Sequence, residues 1–123
     1  MVQSIPTSVQ AEATKKLTLK ALEDLKANEI TVLDVRQRAN FTDYMIFASG
    51  TSSRHVKSIA SAVIDAAKHA GQPPYGAEGE DVGEWVLVDL GDVIVHVMLP
   101  DTRQFYEIEK LWSEEPVLAD SRQ

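Results

Sequence analysis

The chain has 123 residues, of which 44% are hydrophobic and 25% are charged, a composition typical of one folded domain rather than of a disordered segment. No apolar run approaches the roughly 20 residues that a membrane-spanning helix requires. Residues 1–13 have neither the basic residues nor the apolar run of a signal peptide, so we expect a cytoplasmic protein. The sequence contains no cysteine, which excludes a disulfide framework, a thiol nucleophile and a cysteine-based zinc site.

The net charge of −7 is concentrated in the carboxyl-terminal part of the chain. Residues 75–123 carry a net charge of −9, whereas residues 1–40 and residues 41–74 carry +1 each. Because an acidic surface repels the phosphate backbone, we expect no direct sequence-specific binding of nucleic acid. The charge favours a basic protein partner or magnesium. The alternative is a solvated acidic face that has no partner.

The amino-terminal part predicts a helix followed by two strands. After a flexible segment over residues 1–8, an apolar repeat predicts a helix over residues 8–27. Its apolar stripe consists of Val9, Ala13, Leu17, Ala21, Leu22 and Leu25. Residues 30–35 and 43–49 are short apolar runs that predict strands. The short connection between them allows these strands to pair antiparallel.

A second helix and a short third strand are predicted next. The helix covers about residues 54–70, with Ser52 or Ser53 as its N-cap. Gly71 suits the left-handed position that follows a helix. Residues 75–79 predict the short strand.

The clearest feature is a β-hairpin in which residues 85–90 and 93–98 flank the dipeptide Gly91-Asp92. A glycine in the first position of a two-residue loop suits a type II′ turn. One face of this hairpin then holds only leucine and valine and belongs to the core: Val86, Val88, Leu90, Val93, Val95 and Val97. The other face is large and partly polar, and we interpret it as a candidate contact surface: Trp85, Leu87, Asp89, Ile94, His96 and Met98.

Residues 101–112 predict a final helix, and residues 113–123 predict a flexible tail, so residues 9–112 form a single domain. The helix has three aromatic or apolar residues in line: Phe105, Ile108 and Trp112. The order of elements predicts an α/β (α+β) fold, in which helices flank a mixed sheet of about five strands.

Several segments occur in an order and spacing similar to those of a known family. They are DYMI (43–46), ASGTSSRHV (48–56), EG (78–79), GEWVLVD (83–89), GDVIVH (91–96), RQFYEIE (103–109) and LW (111–112). Over roughly residues 14–112 the chain resembles the ribosomal silencing factor family, also called RsfS or Iojap/YbeB.

The resemblance implies a function that needs no cofactor and no catalysis. Members of the family bind the large ribosomal subunit through the conserved ribosomal protein L-fourteen. Bound there, they sterically block association with the small subunit and repress translation during starvation or stationary phase. Free members often form homodimers, and the fold is related to that of nucleotidyltransferases. We therefore expect a non-enzymatic translation repressor.

Seven residues are the predicted partner-binding site. Four from the hairpin would make the apolar contact, and three carboxylates would meet basic residues: Trp85, Leu87, His96 and Met98, with Glu78, Glu80 and Glu84. His96 has an alternative interpretation as a partly buried, hydrogen-bonded histidine. The acidic segment formed by Glu78, Glu80, Asp81 and Glu84 has the alternative of a solvated loop. Its position beside Trp85 favours docking.

Two other hypotheses for the same chain remain open. In the first, Gly50-Thr51-Ser52 cradles a phosphate and the protein is a nucleotide-using enzyme. The paired carboxylates that would hold magnesium are not found at the spacing such enzymes need, and no two histidines have metal-ligand spacing. We therefore predict no catalytic or metal-binding residues, and a structural turn at Gly50. In the second, the mixed face of the hairpin mainly forms a homodimer.

Some polar residues have simpler predicted roles. His55 and His69 are expected on the surface of the second helix. Arg103, Tyr106 and Glu107 are expected to tie the last helix to the sheet.

Overall fold

The structure, a computed structural model, describes residues 4–113, with side chains from residue 9 onward. The elements are α1 (Ser4–Asp24), β1 (Asn28–Asp34), β2 (Tyr44–Ser49), α2 (Ser53–His69), β3 (Gly76–Glu78), β4 (Trp85–Asp89), β5 (Val93–Met98), α3 (Pro100–Tyr106) and α4 (Ile108–Trp112). The predicted flexibility of residues 1–3 and 114–123 lies outside the described residues. Helix α1 begins at Ser4, within the segment predicted to be flexible. In this described part, no helix is long and apolar enough to cross a membrane.

The strands of residues 4–113 form one mixed sheet in the order β1-β2-β5-β4-β3. Strands β2 and β5 pair in parallel at its centre, and the other neighbours pair antiparallel. The prediction of a mixed five-stranded sheet is therefore confirmed. Strand β2 is buried along its whole length, as expected for a central strand with both faces covered.

The first face of the sheet carries the main hydrophobic core. Helices α1 and α2 pack on it and cover a set of aliphatic residues: Ile46, Ala48, Val86, Val88, Val93, Val95 and Val97. The predicted hairpin pairing is confirmed, because Val86 pairs with Val97 and Val88 pairs with Val95. In the turn, Gly91 has a φ of +87°, and its N–H donates to the Asp89 carboxylate at 2.9 Å.

The buried side of α1 differs from the predicted stripe. Its fully buried residues are Ala11, Thr14, Thr18, Ala21 and Leu22. Val9 and Ala13, predicted to be in the stripe, are exposed. The small residues let α1 lie close against α2, and the buried Thr18 hydroxyl is satisfied because it donates to the Thr14 carbonyl at 2.9 Å. Of the other residues in the predicted stripe, Ala21 and Leu22 are buried and Leu17 and Leu25 are half-buried, so the stripe was wrong at the start of the helix and right towards its end.

Helix α2 begins and ends as its sequence predicts. The Ser52 side chain accepts a hydrogen bond from the backbone N–H of His55 at 3.1 Å, which identifies Ser52 as the N-cap. At the other end, Gly71 adopts a φ of +78°. The N–H groups of Gly71 and Gln72 donate to the carbonyls of Lys68 and Ala67, a Schellman arrangement that satisfies the last turn.

The carboxyl-terminal helix is broken, whereas the sequence predicted it to be continuous. Glu107 separates α3 from α4 and has the left-handed φ of 48°. The break redirects the chain, so that Ile108 and Trp112 pack on the second face of the sheet. Phe105, predicted to be in line with them, is instead 78% exposed. Packing on the sheet therefore overrides the local helical pattern.

Two glycines with positive φ predict a matched pair of stability effects. Gly79 has a φ of +89°, and a Cβ there would overlap the backbone carbonyl oxygen of Trp85. Gly71 has a φ of +78°, but a Cβ would meet nothing within 4 Å. We expect Gly71→Ala to lower the free energy of unfolding by about 1 kcal/mol and Gly79→Ala by about 2 kcal/mol. Urea denaturation of both variants measures the difference, and equal losses would contradict the close approach at Gly79.

Candidate functional site

The second face of the sheet, predicted to be an open contact surface, is largely covered. Helices α3 and α4 fold over it and enclose a small core of Val35, Met45, Phe47 and Met98. Met98 is fully buried, and His96 is only 5% exposed. The expectation that these two side chains lie on an accessible surface is therefore wrong, because the turn at Glu107 brings α4 back over the sheet.

His96 lies between two aromatic rings beneath this cover. Its ring stacks on Phe47 from β2, with centroids 4.7 Å apart and planes within 6°. Its Nδ1 accepts a hydrogen bond of 3.0 Å from the indole N–H of Trp85 on β4. Burial lowers the pKa of His96 from its ordinary value of 6.5 to about 4, and the nearby Glu109 carboxylate opposes part of that shift. The ring is therefore neutral at pH 7.

Trp85 is half-buried and connects this interior to the surface. Its ring packs on Tyr106 with centroids 5.1 Å apart, and Tyr106 contacts Phe105 edge-to-face at 4.9 Å. Tyr106 is 53% exposed and Phe105 is 78% exposed. We call Trp85, Tyr106 and Phe105 the aromatic surface. Exposed aromatic side chains in contact with one another are typical of protein-binding sites.

The acidic segment lies next to the aromatic surface. Glu78 pairs with Leu87 across strands β3 and β4, and Glu84 directly precedes Trp85. All four of its carboxylate residues are exposed: Glu78, Glu80, Asp81 and Glu84. Leu87 is half-buried on the same sheet face, in register with His96. Of the seven predicted contact residues, the structure therefore leaves five at least partly accessible: Glu78, Glu80, Glu84, Trp85 and Leu87.

Arg103 fastens the aromatic surface to the sheet. Its guanidinium donates two hydrogen bonds to the Glu109 carboxylate, at 2.7 and 2.9 Å. It also donates to the hydroxyl of Ser49 at 2.9 Å and to that of Thr31 at 3.2 Å. These bonds join α3, α4, β1 and β2, and they hold the pKa of Glu109 below its ordinary value. The predicted tie to the sheet is confirmed for Arg103, whereas Glu107 pairs with Lys110 within the same segment.

The turn at Gly50 has the geometry of a structural turn. A Cβ on Gly50 would lie 2.8 Å from a methyl group of Val56, so the glycine permits close packing of strand and helix. The Thr51 N–H donates to His55 Nδ1 at 2.9 Å, and His55 Nε2 lies 2.7 Å from the Leu25 carbonyl oxygen. His55 is half-buried and connects α2 to the turn that follows α1, which corrects its predicted surface position.

The cleft beside this turn has a volume of about 520 Å³. Carboxylates of Glu84 and Asp101 line it, and they repel a polyphosphate. Within residues 4–113 no group of three or more histidine, aspartate or glutamate side chains is arranged to hold a metal ion. These observations give no support to the nucleotide-using alternative.

Two residues of the aromatic surface were absent from the predicted site. Phe105 was predicted to be in line with Ile108 and Trp112, and Tyr106 was predicted to tie the last helix to the sheet. A usable signal existed for Tyr106, because on a continuous helix it lies about 100° from Phe105, away from the line of Phe105, Ile108 and Trp112. The break at Glu107 had no such signal, since glutamate favours helix interiors.

The model of the family described as "RsfS: Ribosomal silencing factor during starvation" matches residues 8–123. This chain belongs to the ribosomal silencing factor family. The family predicted from the sequence segments is thereby confirmed.

Relatives in the RsfS family extend across bacteria and organelles. The ribosomal silencing factor of Chromobacterium violaceum is 46% identical over 104 residues, which covers 85% of each chain. That of Bacillus subtilis is 41% identical and covers 85% of this chain and 88% of its own. The mouse protein named "Mitochondrial assembly of ribosomal large subunit protein 1" is 36% identical over 79% of this chain, but over only 44% of its own length.

Solved structures share the fold. A crystal structure of a Chromobacterium violaceum protein superposes with a TM-score of 0.82 at 46% identity, covering 88% of this chain and 91% of that one. A crystal structure of a Bacillus halodurans protein gives a TM-score of 0.77 at 32% identity, covering 86% and 99%. The sheet of five strands with flanking helices is therefore the architecture of the RsfS family structures.

Proposed function

We propose that this chain is a translation repressor that binds the large ribosomal subunit and sterically blocks its association with the small subunit. The partner is ribosomal protein L-fourteen, which the family resemblance implies. The observation that carries the proposal is the aromatic surface, in which exposed Phe105 and Tyr106 contact each other and Tyr106 packs on Trp85, with the exposed Glu84 directly before Trp85 in the chain. The names of relatives at 41–46% identity, "Ribosomal silencing factor RsfS", support it.

The chemistry of this surface suits a basic protein partner. Large aromatic side chains at an interface centre contribute most of the binding free energy, because they bury much area at little cost in side-chain entropy. The surrounding carboxylates of the acidic segment attract lysine and arginine side chains and raise the association rate. The same carboxylates repel ribosomal RNA, so the contact is made to protein. Steric exclusion of the small subunit then needs no reacting group.

The first test removes the exposed aromatic rings. We expect Phe105→Ala combined with Tyr106→Ala to weaken binding to purified large subunits at least tenfold, because interface aromatics of this kind are hot spots. Co-sedimentation with large subunits measures the affinity. A subunit-joining assay measures the function, and the variant should no longer prevent formation of the complete ribosome.

The control removes an equal pair of exposed aromatic rings elsewhere. Phe41 and Tyr75 are exposed and lie outside the aromatic surface. The double variant Phe41→Ala with Tyr75→Ala should bind and inhibit like the wild type. If the two double variants bind equally well, the aromatic surface is not the contact. If the wild-type chain fails to bind large subunits, the proposed function itself is wrong.

The proposed repressor also has the family tendency to form a homodimer. If a second copy covered the aromatic surface, the dimer would have to dissociate before the ribosome bound. Light scattering over a dilution series, performed on the wild type and on the Phe105→Ala, Tyr106→Ala variant, separates the two contacts. A dimer that survives the double substitution uses another surface.

A further inference from the structure

A hydrogen bond between Trp85 and His96 fixes which nitrogen of the His96 ring carries the hydrogen. An indole N–H can only donate, so His96 Nδ1 must be the acceptor and carry no hydrogen. The neutral ring then carries its hydrogen on Nε2. That atom is buried and meets no hydrogen-bond acceptor among the residues that the structure describes. One side of the imidazole is thus unsatisfied, while the other is committed to Trp85.

The surroundings leave His96 little freedom to move. It is 95% buried, its ring lies flat on Phe47, and Leu87 pairs with it across β4 and β5. Trp85, by contrast, is half-buried and lies at the inner edge of the aromatic surface. A rigid acceptor bonded to a partly exposed ring fixes the rotamer of that ring.

We propose that His96 is a positioning residue for partner binding, which holds the Trp85 indole by its N–H and thereby presents the aromatic surface in one arrangement. His96 itself touches no partner. This inference rests on the proposed function for its effect on binding, but the orientation of Trp85 can be measured on the free protein. The positioning role also explains why a histidine occupies this buried position although its Nε2 has no hydrogen-bond partner among the described residues. An aliphatic side chain there would leave no buried polar atom unsatisfied.

Two substitutions at His96 distinguish the hydrogen bond from the packing. His96→Asn retains an acceptor, because an asparagine side-chain oxygen can occupy the place of Nδ1. His96→Phe retains the stacking on Phe47 but has no acceptor. We expect the Trp85 indole N–H signal in ¹H–¹⁵N spectra to keep its position and its slow solvent exchange in His96→Asn, and to lose both in His96→Phe.

The effect of His96→Phe on binding is then compared in the wild-type chain and in the Trp85→Phe variant. We expect His96→Phe to weaken co-sedimentation with large subunits at least fivefold, and His96→Asn to weaken it less than twofold. Trp85→Phe removes the donor, so adding His96→Phe to it should change the affinity less than twofold. Trp85→Phe alone should weaken binding as much as His96→Phe does. It therefore provides the same test if His96→Phe does not fold.

The outcomes separate the inference from the function on which it rests. An unchanged indole N–H signal in His96→Phe, or an equal loss of affinity in both backgrounds, would overturn the positioning role. So would full binding by Trp85→Phe. If the wild type does not bind large subunits, the proposed function fails, and the indole signal alone decides whether His96 holds Trp85.

Discussion

Replacing Arg103 with leucine should lower the free energy of unfolding by about 3 kcal/mol, because the partly buried Glu109 carboxylate would lose its partner. The Arg103 side chain is 10% exposed and that of Glu109 is 30% exposed, so solvent screens the pair only weakly. The variant also loses the hydrogen bonds to Ser49 and Thr31. Thermal unfolding measured by circular dichroism should show a decrease in Tm of roughly 10 °C.

A double variant tests the reason for this loss. In Arg103→Leu with Glu109→Leu, no uncompensated carboxylate remains, so we expect more than half of the lost free energy to return. Lys110→Ala is the matched control, because its ion pair with Glu107 is exposed and should contribute less than about 0.5 kcal/mol. A double variant as unstable as Arg103→Leu would show that the leucine packs badly and that charge is not the cause.

Acidification should destabilise the protein through His96. The pKa of His96 is about 4 in the folded protein, and its ordinary value is 6.5. Below pH 6.5 the unfolded chain therefore binds a proton that the folded chain does not. The contribution of the neutral His96 to the free energy of unfolding is complete above pH 6.5 and is lost as the pH falls to about 4. Its total is about 3 kcal/mol.

The variant His96→Asn isolates this contribution. Urea denaturation between pH 7 and 4 should show a steeper loss of stability in the wild type than in His96→Asn, because the variant lacks the buried imidazole. Glu109 is the charged group that opposes the shift, and Phe47, Trp85 and Leu87 around the ring carry no charge. The carboxylates of Asp34 and Glu109 have pKa values lowered from 3.8 and 4.5, so their contributions to stability are lost only as the pH falls through those ordinary values and below them. If the free energies of unfolding of the wild type and His96→Asn changed equally with pH, His96 would not be a buried neutral group in the folded protein.

Much of the fold follows from local patterns in the sequence. The core face of the hairpin was predictable because the alternation around Gly91-Asp92 places every valine on one side, and the glycine-first loop favoured the register that the structure has. Helix α2 was predictable because its cap, its apolar stripe and Gly71 agree. The presence of helix α1 was predictable, but its buried face was predictable only in part, since Ala11, Thr14 and Thr18 on that face give almost no contrast in hydropathy with the exposed face.

The candidate site was predictable only in part. The acidic segment and Trp85 are consecutive in sequence, so their proximity needed no tertiary information. The burial of His96 and Met98 depends on α4, which reaches them because the chain reverses at Glu107. That reversal is stabilised by contacts from Arg103 to β1 and β2. No pattern of neighbouring residues encodes such a bond.

The parallel pairing of β2 with β5 has a consequence for biosynthesis. Strand β2 is apolar and fully buried, yet one of its two neighbours is encoded near the other end of the domain. A nascent chain therefore leaves the exit tunnel with Met45, Ile46 and Phe47 on an edge that β1 alone cannot cover. Until β5 has been translated, that edge is unpaired and can associate with other unfinished chains.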